Sequence, residues 1–131
     1  MRPPASPWTR SPSRDSPPPL ATSHLPAVLL VDDDPNIGQI VSATLGPVAT
    51  VHIARTLSEA RGALTTVAPT VVLLDLRLAQ EDGAALVPEI AERLPLAATI
   101  ILSGSNNLER AIELFRVGID DYLMKPVPPS C

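Results

Sequence analysis

From residue 27 onward, short apolar runs alternate with longer stretches in which apolar residues recur every three or four positions. The first pattern fits buried strands and the second fits helices packed by one face, so the chain reads as repeated β-α units around a parallel sheet. Five strands are predicted, at about Ala27–Val31, Ala49–Ala54, Thr70–Leu74, Ala97–Leu102 and Asp121–Met124. Thr70–Leu74 is apolar on both alternating faces, which places it in mid-sheet with helices on each side.

Four helices fill the gaps. Pro35 suits the first turn of one that carries Ile37, Ile40, Val41 and Leu45 on a single face, and Gly46-Pro47 stops it. Thr56 and Glu59 have the spacing of a capping box for a second helix running through Val67. Asp75 to Gly83 reads as a loop, and Ala84 to Arg93 as a third helix that tolerates Pro88 near its first turn. Ser105 or Asn106 caps a fourth helix through Val117, with Leu114 and Phe115 as its core contacts, and Gly118 ends it. Val127-Pro128-Pro129-Ser130-Cys131 leaves no fifth helix, so with four helices for five strands part of one sheet face is expected to stay exposed.

Composition separates a head from this globular part. Residues 1–26 hold half of the sixteen prolines, three arginines and no apolar run able to build a core, so the head is expected to be disordered. Residues 27–126 form the folded domain and 127–131 a short tail. Pro17-Pro18-Pro19 interrupts any signal-peptide core, and no stretch approaches membrane-spanning length, which points to the cytoplasm and to no membrane partner. The net charge of -4 gives no pull toward nucleic acid, and direct nucleic-acid binding is not expected. A lone Cys131 excludes an internal disulfide or zinc cluster. Aromatics make up only 2%, so the core must be aliphatic, and Trp8 falls in the head.

The candidate chemistry lies at the strand ends. Asp32 and Asp33 follow the first strand, Asp75 the third, Ser103 the fourth and Lys125 the fifth. Lys125 is the only lysine beside nine arginines, which marks one position for a compact cation rather than a planar fork. In open α/β sheets, ligands bind beyond the carboxyl ends of the strands. Carboxylates gathered there repel one another unless a divalent cation and a fixed ammonium neutralise them. The oxygen-only donor set favours Mg²⁺ over zinc. A carboxylate in such a site can attack phosphorus and form an aspartyl phosphate, with the lysine and a Ser103 hydroxyl stabilising the transferring group. Each residue alone has a plainer reading: acidic residues before a helix commonly complement its dipole, and a lone tyrosine such as Tyr122 is ordinary packing. Their occurrence in register tips the balance toward a site. His24 in the head and His52 in an edge-like strand are not candidate ligands or bases.

The motifs Val31-Asp32-Asp33-Asp34-Pro35, Leu74-Asp75-Leu76-Arg77-Leu78 with Asp82-Gly83, Ile101-Leu102-Ser103-Gly104 and Asp121-Tyr122-Leu123-Met124-Lys125-Pro126 resemble the receiver domain of bacterial two-component response regulators. The resemblance covers residues 27 to 126 and implies a flavodoxin-like, doubly wound five-stranded parallel sheet of order 2-1-3-4-5, here without a fifth helix. It implies that Asp75 is the phosphoacceptor in a phosphorelay, Asp33 a direct Mg²⁺ ligand, Asp32 its neighbour and Arg77 a ligand through its backbone carbonyl. Ser103 and Tyr122 would be the switch pair and Lys125 the cationic partner, whereas Asp34 would only begin a helix. A histidine kinase or histidine phosphotransfer domain would be the phosphoryl donor, and the chain would be a signalling domain rather than an enzyme, with slow self-catalysed phosphotransfer and dephosphorylation.

This sequence departs from the family pattern in three places. Ala79 replaces a frequent proline and is expected to loosen the acceptor loop. The Arg77 side chain and Ser105 occupy positions that tune phosphoryl lifetime. The absent fifth helix removes a third of the common signalling and dimerisation surface, which leaves dimerisation open. Two other readings stay in view: a truncated or degenerate receiver-like binding module, and an aspartyl-phosphate phosphatase. The second ranks low because Arg77 stands where a haloacid-dehalogenase-type enzyme has its second aspartate.

Overall fold

The computed structural model describes residues 25–104 and 108–125. The chain runs β1 (Ala27–Val31), α1 (Pro35–Leu45), β2 (Thr50–Ala54), α2 (Leu57–Thr66), β3 (Val71–Asp75), α3 (Leu86–Arg93), β4 (Ala98–Ser103), α4 (Leu108–Val117) and β5 (Asp121–Met124). Each strand pairs in parallel with its neighbours to give the order β2-β1-β3-β4-β5. This is the flavodoxin-like winding, whose chain direction reverses between β1 and β3 and leaves a crevice at their carboxyl ends.

Alternation along the strands divides the core in two. Leu29, Val31, Val72, Leu74 and Ile101 face one way and pack with Leu57, Ala60 and Leu64 of α2, Leu86, Val87 and Ile90 of α3, and Leu114 of α4. Val28, Leu30, Leu73 and Leu102 face the other way against Ile37, Val41 and Leu45 of α1. The core is aliphatic, each buried side chain contributing roughly 1.5–3 kcal/mol. Among the described residues three helices cover the first face and α1 alone covers the second, and Leu123 of β5 is 45% exposed.

Two sequence-based core assignments are corrected. Ile40 of α1 and Phe115 of α4 are exposed, at 48% and 47%. Leu114 is buried, and Phe115, one residue on, is turned about 100° away around the helix. The inward stripe of α4 is narrow, made of Ala111 and Leu114.

The helix starts follow local chemistry. Asp34 caps α1 by accepting the Asn36 N–H at 2.9 Å, and Pro35 needs no partner in the first turn. Thr56 caps α2 by accepting the Glu59 N–H, while the Glu59 carboxylate accepts from Arg55 N–H, one residue upstream of the usual box partner. Gly118, at φ 137°, leaves α4 in a conformation that side chains rarely adopt.

The segment after β3 is more ordered than the expected loop. Arg77–Leu78 and Glu81–Asp82 pair as a tight antiparallel ribbon, and a 3₁₀ turn over Gly83–Ala85 leads into α3. Ala79 sits at the ribbon's turn with φ 52°. Alanine here permits a backbone that proline, locked near φ −65°, cannot adopt. Residues 1–24 of the head, the tail, Pro126 and the positions Ser105 and Asn106 lie outside the described residues.

Candidate functional site

The strand register assembles the site. Val31 pairs with Leu74, so Asp32 and Asp75 stand level at the ends of β1 and β3. Asp75 pairs with Leu102, and Ser103 with Met124, so Ser103 lies one residue beyond the aspartates and Lys125 two. Lys125 stays tied to the sheet edge because its N–H donates to the Ser103 carbonyl at 2.8 Å. From there its side chain reaches back across β4, placing Nζ 2.9 Å from Asp75 Oδ2 and 3.0 Å from Asp32 Oδ2.

The pocket concentrates charge in a place poor in water. Asp32 and Asp75 are buried and Asp33 is exposed. Burial pushes the Asp32 carboxyl above its ordinary value; the Asp34 N–H at 2.9 Å and Lys125 oppose the shift, and the charge of Asp75 adds to it. Burial also disfavours the Lys125 ammonium, but its hydrogen bond to Asp75 and its close pairing with the Asp32 carboxylate outweigh it, and its pKa is raised. Asp75 Oδ1 accepts the Arg77 N–H at 3.1 Å, so both oxygens of this carboxylate are oriented.

These residues fit a divalent cation. One oxygen from each of Asp32, Asp33 and Asp75 lies within 4.8 Å of the others. Asp32 Oδ2 is wholly buried and has no hydrogen bond of acceptable geometry, although Lys125 pairs with it electrostatically. A buried, incompletely satisfied carboxylate in an all-oxygen cluster suits a hard ion such as Mg²⁺ or Ca²⁺ and not zinc.

A cleft of about 750 Å³ opens over Asp75 and is lined by Arg77, Ser103, Tyr122 and Lys125 among others. Sequence-nominated residues thus converge from four strand ends and the following ribbon. The Arg77 side chain is exposed, and Tyr122 packs against the larger core cluster. Sequence reasoning did not find the supports of the ribbon. Glu81 accepts the Leu57 N–H at the start of α2 at 3.0 Å, and Asp82 pairs with Arg110 of α4 at 2.8 Å. Gly83 N–H donates to Leu76 O at 2.8 Å and brings its Cα against the Asp75 backbone. The Asp82-Gly83 pair was a signal for the last of these; nothing local marks Arg110 or Glu81.

A parallel sheet of this winding with an acidic pocket and one lysine at its carboxyl edge defines a receiver-type signalling domain. The chain belongs to the response regulator receiver domain family, which it matches over residues 28–130. It is 35% identical over 98 residues to the DNA-binding transcriptional regulator NtrC of Klebsiella pneumoniae, an alignment covering 74% of this chain and 21% of NtrC. This chain therefore spans about a fifth of that relative. The BeF3-activated receiver domain of DrrB, from Thermotoga maritima, superposes with a TM-score of 0.72 at 30% identity, covering 81% of this chain and 89% of that one. A response regulator from Burkholderia pseudomallei, solved with a phosphorylated aspartic acid, calcium and citrate, shares the fold with a TM-score of 0.74 at 23% identity, covering 80% and 62% of the two chains. Among the described residues no helix is long and apolar enough to cross a membrane.

Proposed function

We propose that this chain is a phosphorelay receiver that accepts a phosphoryl group on Asp75 from a histidine kinase or histidine phosphotransfer domain, in the cytoplasm. The observation that carries this reading is the single ammonium of Lys125 bridging Asp75 and Asp32 beneath an open cleft. In the transfer, an Asp75 carboxylate oxygen forms a bond to phosphorus as the donor's bond to phosphorus breaks. The leaving group, an imidazole nitrogen or acetate, departs with the electron pair. Asp32, Asp33, Asp75 and the Arg77 carbonyl would hold Mg²⁺, which supplies charge neutralisation for the transferring group. Lys125 holds the acceptor carboxylate in place and offsets the charge it gains. Ser103 and Tyr122, lining the same cleft, form the switch that reports phosphorylation to a protein-binding surface. Residues 27–126 form the receiver, flanked by the head and tail.

Incubation with acetyl phosphate and Mg²⁺ tests the reading. It predicts a base-labile mass increase of one phosphoryl group, absent from Asp75→Asn and from wild type in chelator. An unmodified wild-type protein would overturn it.

A further inference from the structure

Leu57 opens α2, so its N–H is one of the first-turn donors for which the helix itself offers no partner. Its acceptor comes from 24 residues away, where Glu81 Oε1 takes the bond at 3.0 Å. The Glu81 carboxylate thereby meets the positive end of the α2 dipole, where negative charge is favoured. Thr56 and Glu59 already cap α2 from within its own segment, so this bond matters more to the ribbon than to the helix. In the ribbon, Glu81 stands opposite Leu78, and Asp82 stands opposite Arg77. Leu78 is completely buried in the same core cluster as Leu57, which pins the first arm of the ribbon against the α2 side of the core. Glu81 ties the second arm to α2, and Asp82 ties that arm to Arg110 of α4. Between these supports lies the Arg77 peptide, whose N–H donates to Asp75 Oδ1 at 3.1 Å.

From this we infer that Glu81 is a positioning residue for the metal and the acceptor: by fixing the ribbon to the first residue of α2, it keeps the Arg77 carbonyl turned to the metal and the Arg77 N–H turned to Asp75. Groups behind a metal ligand orient it and thereby set its affinity. The inference rests on the phosphoacceptor reading, in which the Arg77 carbonyl is a Mg²⁺ ligand, and adds to it a residue that acts only through Arg77. Glu81 also lines the cleft, so its negative charge offers a rival explanation for any effect on a cation. The two are separable. Positioning depends on the reach of the side chain and on an acceptor oxygen at its end, whereas attraction depends on the charge alone.

The experiment measures Mg²⁺ affinity of the full chain by titration calorimetry without any phosphoryl donor, and then the rate of Asp75 modification by acetyl phosphate at sub-saturating Mg²⁺. Glu81→Ala is expected to weaken Mg²⁺ binding roughly fivefold, the scale of one charged hydrogen bond partly screened by solvent. Glu81→Gln keeps the length and an acceptor oxygen and should stay within roughly twofold of wild type. Glu81→Asp keeps the charge but is one methylene short, and should follow Glu81→Ala. The rates of modification should fall in the same order. Thr56→Ala, which removes a cap of the same helix, should lower the melting temperature and leave Mg²⁺ affinity unchanged. Loss of affinity in Glu81→Gln with retention in Glu81→Asp would assign the effect to charge and overturn the inference, as would an equal loss in Thr56→Ala. A modified wild type whose Mg²⁺ affinity is matched by Glu81→Ala and Glu81→Asp overturns it while leaving the phosphoacceptor reading intact. Failure of wild type to be modified removes both. If Glu81→Ala melts below the assay temperature, Glu81→Gln and Glu81→Asp decide the matter by the same criteria.

Discussion

Gly83 approaches the backbone of Asp75 so closely that a Cβ on it would stand 2.0 Å from the Asp75 carbonyl oxygen. Backbone cannot yield as a flexible side chain can, so Gly83→Ala forces the ribbon away from β3. The expected result is a loss of about 2–3 kcal/mol in urea unfolding, together with slower modification of Asp75 because Arg77 N–H moves with the ribbon. Wild-type stability in this variant would show that the contact can relax.

Asp32 sets the pH response of the metal-free protein. Its folded pKa lies above the unfolded value of 3.8, so the folded chain binds that proton more tightly than the unfolded one. The contribution of Asp32 therefore falls as pH rises from the unfolded pKa through the folded one. Asp32→Asn should stabilise the chelated protein at neutral pH by about 1–2 kcal/mol, with the advantage vanishing near about pH 4. Mg²⁺ should reverse the order: at ten times its Kd it should stabilise wild type by about 1.4 kcal/mol and the variant much less. Melting curves with and without Mg²⁺ across pH give both results; an unchanged ranking on adding metal would count against Asp32 as part of its site.

Lys125 acts in the same direction at the alkaline end. Its folded pKa lies above 10.5, so its stabilising contribution is complete below the unfolded value and is lost as pH rises through the folded value. Lys125→Gln should lower stability at neutral pH by about 2 kcal/mol, less than for a fully buried pair because the ammonium is partly screened by solvent. Denaturation at a series of alkaline pH values should show a decline in wild type that is reduced in the variant.

Ala79 holds a left-handed backbone at φ 52°. Ala79→Gly should stabilise the fold by up to about 1 kcal/mol, the net of relieved strain and a freer unfolded chain. Ala79→Pro, although it restores a residue frequent in the family, should destabilise by about 3 kcal/mol because its ring forbids this φ. Equal melting temperatures for the three proteins would argue against the turn geometry.

Most of the scaffold was legible in the chain. The apolar runs ending at Val31, Leu74 and Leu102 become β1, β3 and β4 within a residue, because buried strands must be apolar over their whole length. Asp34 and Thr56 cap the helices they precede, through bonds spanning two or three residues. The site residues were legible for a related reason: the parallel winding brings the ends of successive strands to one edge whatever lies between them.

Other features were settled only by tertiary structure. Phe115 and Leu114 are equally apolar neighbours, and only the seating of α4 on the sheet decides which one is buried. Leu57 with Glu81 and Arg110 with Asp82 lie 24 and 28 residues apart, and Lys125 meets Asp75 across 50. Such polar contacts leave no periodic trace in the chain. The sequence by itself determined the β-α order, the aliphatic core and the acidic edge, because backbone propensity and hydrophobic burial act at each position. The ribbon after Asp75, the reach of Lys125 across β4 and the Arg110–Asp82 contact were decided by tertiary structure, because each depends on distances that exist only once the sheet is assembled.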